Sequence, residues 1–277
     1  MSVLEKHPCF NASAHGQYGR LHIPCAPKCN LNCAFCGRGL DDGAHVLPGR
    51  SERIVTPDEV RDYVAEKLRE HPKITVLGIA GPGEPLYNPE TFEVLNILRR
   101  EFPAKMLCLG TNGYLLADKV NLLHELGVET ITVTVNAVTP ETMLKINPGL
   151  WDETGQYCEG IPSAERLLFR QLDGICRTVA LHITVKANAV CVPGVNDGEM
   201  DRIAQKVRDC GVQIMNVMPL KPAGRLKHAL PPSPAEIHAL RARLGTILPQ
   251  MYHCVQCRAD ACGFLSESGE EAYGCIK

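Results

Sequence analysis

Six short runs along the chain carry the two-residue alternation of a strand, at residues 20–24, 73–80, 105–110, 130–136, 181–188 and 213–219. Between each run and the next, the apolar positions shift to three- and four-residue spacing, which predicts a helix. Two helix starts are marked in full: Thr56-Pro57-Asp58-Glu59 and Ser233-Pro234-Ala235-Glu236 each join a capping residue, a proline at the first helical position and a glutamate at the third. Asn88-Pro89 and Thr139-Pro140 predict the same device without the full box. Strands alternating with helices make parallel βαβ units. Six units are too few to close an eight-fold barrel but enough for a curved, partly open one. The predicted fold class is therefore α/β, a partial TIM-like (β/α)6 barrel. With no internal repeat or low-complexity linker, residues 1–277 read as a single domain: an N-terminal extension over 1–18, the barrel core over 19–248 and a tail over 249–277. The tail has weak periodicity and four cysteines, which predicts a segment ordered by metal instead of by its own core.

Strand phase adds a functional expectation, because residues two apart share a face. Arg20 shares a face with His22; Thr132, Thr134 and Asn136 share another; His182, Thr184, Lys186 and Asn188 share a third. The opposite phases, Leu21 and Ile23, Ile131, Val133 and Val135, and Ile183, Val185 and Ala187, are apolar and suited to packing under helices. Polar faces turned inward would enclose a polar chamber. The alternative is that they are solvated, which parallel strands covered by helices rarely allow.

Composition narrows the chemistry. The net charge of -2 comes from 29 basic and 31 acidic residues spread through the sequence, so no field strong enough to draw nucleic acid or an anionic membrane is implied. No export signal is legible at the N-terminus, and no run approaches the roughly 20 apolar residues of a membrane span, so the expected location is the cytoplasm. Cysteine is the outlier, with 14 residues beside one Trp and six Phe. In a reducing compartment such a count favours metal ligation over disulfides.

The spacing of those cysteines then matters. Cys29, Cys33 and Cys36 follow the first strand in a loop at its C-terminal end, where three thiols can wrap three corners of a four-iron four-sulfur cube and leave the fourth iron open. A zinc site missing its last ligand is the bland alternative. The arrangement resembles the signature of the radical SAM superfamily. That resemblance implies that S-adenosylmethionine chelates the open iron and yields a 5′-deoxyadenosyl radical on one-electron reduction. Gly81-Pro82-Gly83-Glu84-Pro85, at the end of the second strand, looks like the segment of that superfamily lying against the methionine moiety, and Gly81 and Gly83 suit a close backbone approach. Thr111-Asn112-Gly113, Asn136 and Asn188 end the third, fourth and fifth strands, on the rim where such barrels place their sites. Gly81, Gly83, Glu84, Thr111, Asn112, Asn136 and Asn188 are therefore candidate cofactor contacts, although Asn is also an ordinary turn residue.

Taken alone, Cys108 inside the third strand reads as a small apolar side chain and His22 as a satisfied core histidine, whereas Cys254 and Cys257 form a close pair with a stronger metal signal. Wider segments change that reading. HPCFNASAHGQYGRLHIPCAPKCNLNCAFC, GIAGPGEPL, MLCLGTNGY, VPGVND, MNVMPL and HCVQCRADACG, in this order, resemble the NifB family of nitrogenase cofactor maturation proteins over nearly the whole chain. The resemblance implies a radical SAM partial barrel with three four-iron four-sulfur clusters. Cys29, Cys33 and Cys36 would hold the SAM cluster, Cys9, His22 and Cys108 one substrate cluster, and Cys254 and Cys257 the other. It further implies fusion of the two substrate clusters into an eight-iron, nine-sulfur, carbide-centred precursor, with S-adenosylmethionine as methyl donor and radical source. Implied partners are an iron–sulfur cluster donor, an electron donor such as ferredoxin, and an acceptor or carrier protein of nitrogenase assembly, with neither nucleic acid nor membrane. The segment from Gly37 to Asp42 lacks a cysteine that many relatives carry, and the sequence ends soon after the CxxC pair, so a separate acceptor is expected. The sequence assigns no role to Cys25, Cys262 and Cys275. Two rivals stay open: a radical SAM enzyme of the molybdenum-cofactor cyclase type acting on an organic substrate, and a non-enzymatic iron–sulfur scaffold.

Overall fold

The structure is a computed structural model and describes residues 3–37, 39–40 and 48–265. The first half runs β1 (Gly19–His22), β2 (Gly39–Leu40), β3 (Arg50–Ser51), α1 (Pro57–Glu70), β4 (Ile74–Ile79), α2 (Glu90–Glu101), β5 (Met106–Thr111), α3 (Leu116–Glu125) and β6 (Val128–Thr134). The second half runs α4 (Pro140–Ile146), β7 (Gly149–Trp151), β8 (Tyr157–Glu159), α5 (Gly160–Ala180), β9 (Thr184–Cys191), α6 (Met200–Asp209), β10 (Ile214–Pro219), α7 (Pro234–Leu244) and β11 (Cys262–Gly263). Strands β1, β4, β5, β6, β9 and β10 lie side by side in chain order, all parallel, and β11 adds antiparallel to the outer edge of β1. This is the partial (β/α)6 barrel of a six-unit βαβ sequence. The sheet curls, since His22 on β1 and Asn216 on β10 face the same cavity although four strands separate them.

Strand phase is as the alternation predicts. Leu21, Ile23, Ile131, Val133, Val135, Ile183, Val185 and Ala187 are buried in one apolar core with the helices, while Thr132, Thr134, Asn136, Lys186 and Asn188 line the cavity on the other side. Both full capping boxes form: Thr56 N donates to Glu59 Oε2 at 3.1 Å, and Glu236 N to Ser233 Oγ at 3.2 Å.

Four expectations change. The fifth strand begins at Thr184, not Leu181, because Leu181 and His182 spend their N–H groups closing α5 on Arg177 O and Val179 O, and His182 turns at φ 60°. His182 therefore leaves the polar face. Asn88 does not cap α2; Pro89 takes that position, and the Asn88 side chain reaches across to the cysteine loop. At α4, Thr139 is the capping residue, but Glu199 supplies the acceptor. Finally, the tail as far as Leu265 is ordered by its own packing: Met251, Ala259, Ala261, Cys262 and Leu265 are buried, and β11 extends the sheet. Cys275, with Arg38, Asp41 and Asp42 of the segment after Cys36, lies outside the described residues. Among the described residues no helix is long and apolar enough to cross a membrane.

Candidate active site

The loop from Cys29 to Cys36 emerges from β1 and is fastened from several sides. Asn88 clasps the backbone just before it, accepting from Lys28 N at 3.1 Å and donating to Lys28 O at 2.8 Å. Asn147 accepts from Asn32 N at 2.9 Å, Arg225 donates to Asn32 O at 2.7 Å, and Ala34 N donates to Ile146 O at 2.7 Å. Gly224 is confined here too, since a Cβ would stand 2.9 Å from both the Ala34 and Cys36 carbonyls. Cys33 and Cys36 line the cavity. Cys29 is not part of that wall; its sulfur accepts from Leu31 N at 3.4 Å, as a loop poised to donate thiolates would allow.

The Gly81–Pro85 segment lies directly against this loop. Gly83 N donates to Ala26 O at 2.5 Å and Glu84 N to Lys28 O at 2.8 Å. A Cβ at Gly83 would sit 2.1 Å from Lys28 O, so the glycine is required by close backbone packing as well as by the cavity that it lines. Gly81, at φ +142°, holds the turn and stands outside the cavity wall. Glu84 is buried and fully engaged, accepting from Thr111 Oγ1 at 2.6 Å, Asn112 N at 2.6 Å and Leu86 N at 3.1 Å. Asn112 in turn donates to Asn30 Oδ1 at 2.8 Å, closing a polar chain from the end of β5 back to the cysteine loop. Asn136 accepts from Val190 N at 2.8 Å and Asn188 from Asn216 Nδ2 at 3.2 Å, so both brace neighbouring strands while facing the cavity.

The cavity, about 380 Å³, runs from this rim down the inner face of the curled sheet. There His22, Gly78 and Cys108 stand in register on β1, β4 and β5. A Cβ on Gly78 would meet His22 Cδ2 at 3.3 Å and Cys108 Cβ at 3.8 Å, so the missing side chain is the space into which the imidazole and the thiol converge. His22 Nδ1 lies 3.0 Å from the Arg258 carbonyl, which only accepts. That contact puts the proton on Nδ1 and leaves the Nε2 lone pair available for a metal. Burial, reinforced by Arg20, holds the His22 pKa down to about 4, so the ring is neutral at physiological pH. Cys9, Cys254 and Cys257 open on the same space. Burial pushes the Cys9 thiol up to about 12, against the pull of Lys186, and raises Cys108 as well. Cys25 and Cys262 are buried away from the wall.

The donor set fits thiolate-ligated iron and sulfur: soft sulfur donors and the neutral imidazoles of His7 and His22 converge from widely separated segments, in a space where, among the described residues, the one carboxylate, Glu84, is already engaged. None of the described cysteines is in a disulfide. Among the described residues, no three His, Cys, Asp or Glu side chains converge on the position of a single metal ion. The polar rim and the Gly83 approach fit a zwitterionic nucleoside ligand beside the cysteine loop. Sequence reasoning missed Gly78, Asn88 and Asn147, whose roles are contacts across the fold; Arg20 and Lys186 were legible only as members of a polar face.

A model of the radical SAM superfamily matches residues 23–207. The crystal structure of Streptococcus suis SuiB superimposes with a TM-score of 0.60 at 12% identity, covering 83% of this chain and 48% of that one. Methylornithine synthase (PylB) gives 0.51 at 14% identity, covering 83% and 64%. At such identities these likenesses speak for the fold alone. Together with the cysteine loop, the family match defines a radical SAM enzyme. The FeMo cofactor biosynthesis protein NifB of Methanocaldococcus jannaschii is 39% identical over 96% of this chain and 88% of its own length, and that of Klebsiella pneumoniae 38% identical over 96% and 58%. Within the superfamily, the chain belongs to the NifB family.

Proposed function

We propose that this enzyme builds the metal-cluster precursor of the nitrogenase cofactor, fusing two four-iron four-sulfur substrate clusters and one further inorganic sulfur supplied from outside the chain into an eight-iron, nine-sulfur, carbide-centred product with S-adenosylmethionine as carbon and radical source. The observation that carries this reading is the opening of Cys9, His22, Cys108, Cys254 and Cys257 onto the same cavity as Cys33 and Cys36. A radical SAM enzyme with an organic substrate and one auxiliary cluster on Cys254 and Cys257 has no use for Cys9, His22 and Cys108, and a passive scaffold has none for the Glu84-centred rim. The names of the relatives, FeMo cofactor biosynthesis protein, point the same way.

In this reading Cys29, Cys33 and Cys36 hold the resident cluster, which supplies reductive cleavage of S-adenosylmethionine when bound. Gly83 lets the ligand approach the backbone, Glu84 fixes Thr111 and Asn112 in place, and Asn136 and Asn188 present polar groups from the facing strands; Gly81 shapes the turn that presents them. Leu31, Phe35, Ile79, Met143 and Leu167 give the wall apolar surface that excludes water from a reactive radical. One substrate cluster is held by Cys9, Cys108 and the Nε2 lone pair of His22, each thiol losing its proton on ligation. The other is held by Cys254 and Cys257, set at the end of β10 by Gln256 Nε2 donating to Pro219 O at 2.8 Å. An iron–sulfur donor, a ferredoxin-type reductant and a cofactor acceptor are the partners, the chain acts as a single domain, and its setting is the cytoplasm.

The test is anaerobic reconstitution with reductant and S-adenosylmethionine, followed by transfer of the product to cofactor-free nitrogenase. Recovered nitrogenase activity and about twelve irons per chain, as three cubes would supply, are the expected results. About eight irons and no recovery would favour the cyclase-type rival instead.

A further inference from the structure

Two buried cations in the chamber have no part in the roles above. Lys186, on the inward face of β9, is 6% exposed, and its Nζ meets only weak partners: the Cys9 carbonyl at 3.5 Å, Met251 Sδ at 3.9 Å and the Phe10 ring, 4.9 Å to its centroid. Arg20, on β1, is fully buried. Its Nη1 donates to Gly263 O at 2.6 Å and Phe264 O at 2.9 Å, its Nη2 lies 3.1 Å from Cys257 Sγ, and its Nε is buried without a partner. Neither forms an ion pair with a carboxylate among the described residues.

Other buried charges in this fold are matched. Arg258 is gripped by Asp260 through two contacts of 2.8 Å, and Glu84 is satisfied by its three donors. A buried charge without a counter-charge is strongly unfavourable unless something anionic completes it. Among the described residues, the charged groups of the wall are Arg20, Lys186, Lys221 and the engaged Glu84, so the charge they present to the cavity is net positive. Lys186 stands beside the Cys9 carbonyl and Arg20 beside the Cys257 thiol, which places positive charge next to a residue from each donor set.

We propose that Lys186 and Arg20 form an anion-binding subsite at the end of the chamber away from the rim, that its ligand is a negatively charged iron–sulfur cluster taken in as substrate, and that Lys186 is the positioning residue that selects for that charge. The inference rests on the cluster-synthase reading above and adds the charge of the species admitted. Sulfides and thiolates give such a cluster its negative charge, and an ammonium at the base of the chamber neutralises it while leaving every soft donor free to bind iron.

Lys186 is the residue to change, because Arg20 also holds the tail. For wild type, Lys186→Met and Lys186→Arg, one portion is reconstituted anaerobically with ferrous iron and sulfide, desalted and assayed for iron and by EPR of the reduced protein, and a second, cluster-free portion is titrated with a preformed four-iron four-sulfur thiolate cluster. Lys186→Met is expected to keep about four irons, those of the Cys29–Cys36 loop, and to bind the added cluster at least about tenfold more weakly. Lys186→Arg is expected to restore binding and the second EPR signature, which a purely structural role for the lysine would not predict. If Lys186→Met melts before loading, Lys186→Gln carries the same comparison. Uptake by wild type with equal affinity in the neutral variants overturns the anion subsite alone. A wild type that takes no iron beyond about four overturns the cluster-synthase reading and this inference with it.

Discussion

Gly78 shows how a residue without a side chain can define a site. It stands between His22 and Cys108 in the register of three parallel strands, and a single methyl group there would meet the imidazole at 3.3 Å. Because the strands are pinned on both sides, the ring has to give way. Gly78→Ala is therefore expected to cost about 1–2 kcal/mol of stability by overpacking and to lower the iron held beyond the first cluster by half or more. Thermal unfolding and iron content after reconstitution check the two effects separately, and full iron loading in a variant of normal stability would remove His22 and Cys108 as a ligand pair. Reading such a residue from sequence alone is not possible. Glycine inside a β-run looks like a weak strand position, and its partners are 56 and 30 positions away.

At the level of elements, legibility follows the range of the interactions. The strand phases and the two full capping boxes were legible because their partners lie within four residues. The start of β9, the cap of α4 and the clasp made by Asn88 were not, because residues distant in sequence decide them. Glu199 is the clearest case. It accepts from Val138 N at 2.8 Å, from Thr142 Oγ1 at 3.0 Å and from both the N–H and the hydroxyl of Thr139, and so caps α4 from the start of α6. Burial alone would raise its carboxyl pKa, but these donors together hold it below the usual value of 4.5. A depressed folded pKa gives stability that is present above the unfolded pKa and lost as pH falls through the folded one. The contribution of Glu199 should therefore fade only below about pH 4.5. Glu199→Gln is expected to lower the melting temperature at pH 7 and to narrow the gap to wild type as the pH is taken toward about 3.5. A gap that stays constant across that range would show that the charge of Glu199 is not what holds α4. The cysteine loop was visible in outline for the same reason as the caps, its three thiols being local, while the asparagines that fasten it were hidden by distance.

Across the whole molecule, the two ends of the chain close the chamber together. His253 meets Pro8 O at 2.9 Å, His15 meets Leu265 O at 3.3 Å, and the two imidazoles stack with centroids 5.0 Å apart. Arg20 and His22 on β1 reach Gly263, Phe264 and Arg258 of the tail, whose β11 covers the edge of β1. An exposed parallel edge with a buried arginine beneath it is an unstable arrangement, so the tail serves the fold as well as presenting Cys254 and Cys257. This coupling distinguishes two ways of building the proposed substrate-cluster sites. If each stood alone, a chain ended after Gln250 would lose one cluster and keep about eight irons. The shared contacts argue for a joint collapse: Cys9 loses the wall that holds its segment, His22 loses the carbonyl that fixes its tautomer, and Arg20 loses its acceptors. The truncated chain is therefore expected to hold about four irons, all on the Cys29–Cys36 loop, and to be cut by protease within residues 7–18, where the full chain resists. Iron analysis and limited proteolysis read the two outcomes, and eight irons with a resistant N-terminal extension would mean that the site of Cys9, His22 and Cys108 is built by the barrel alone.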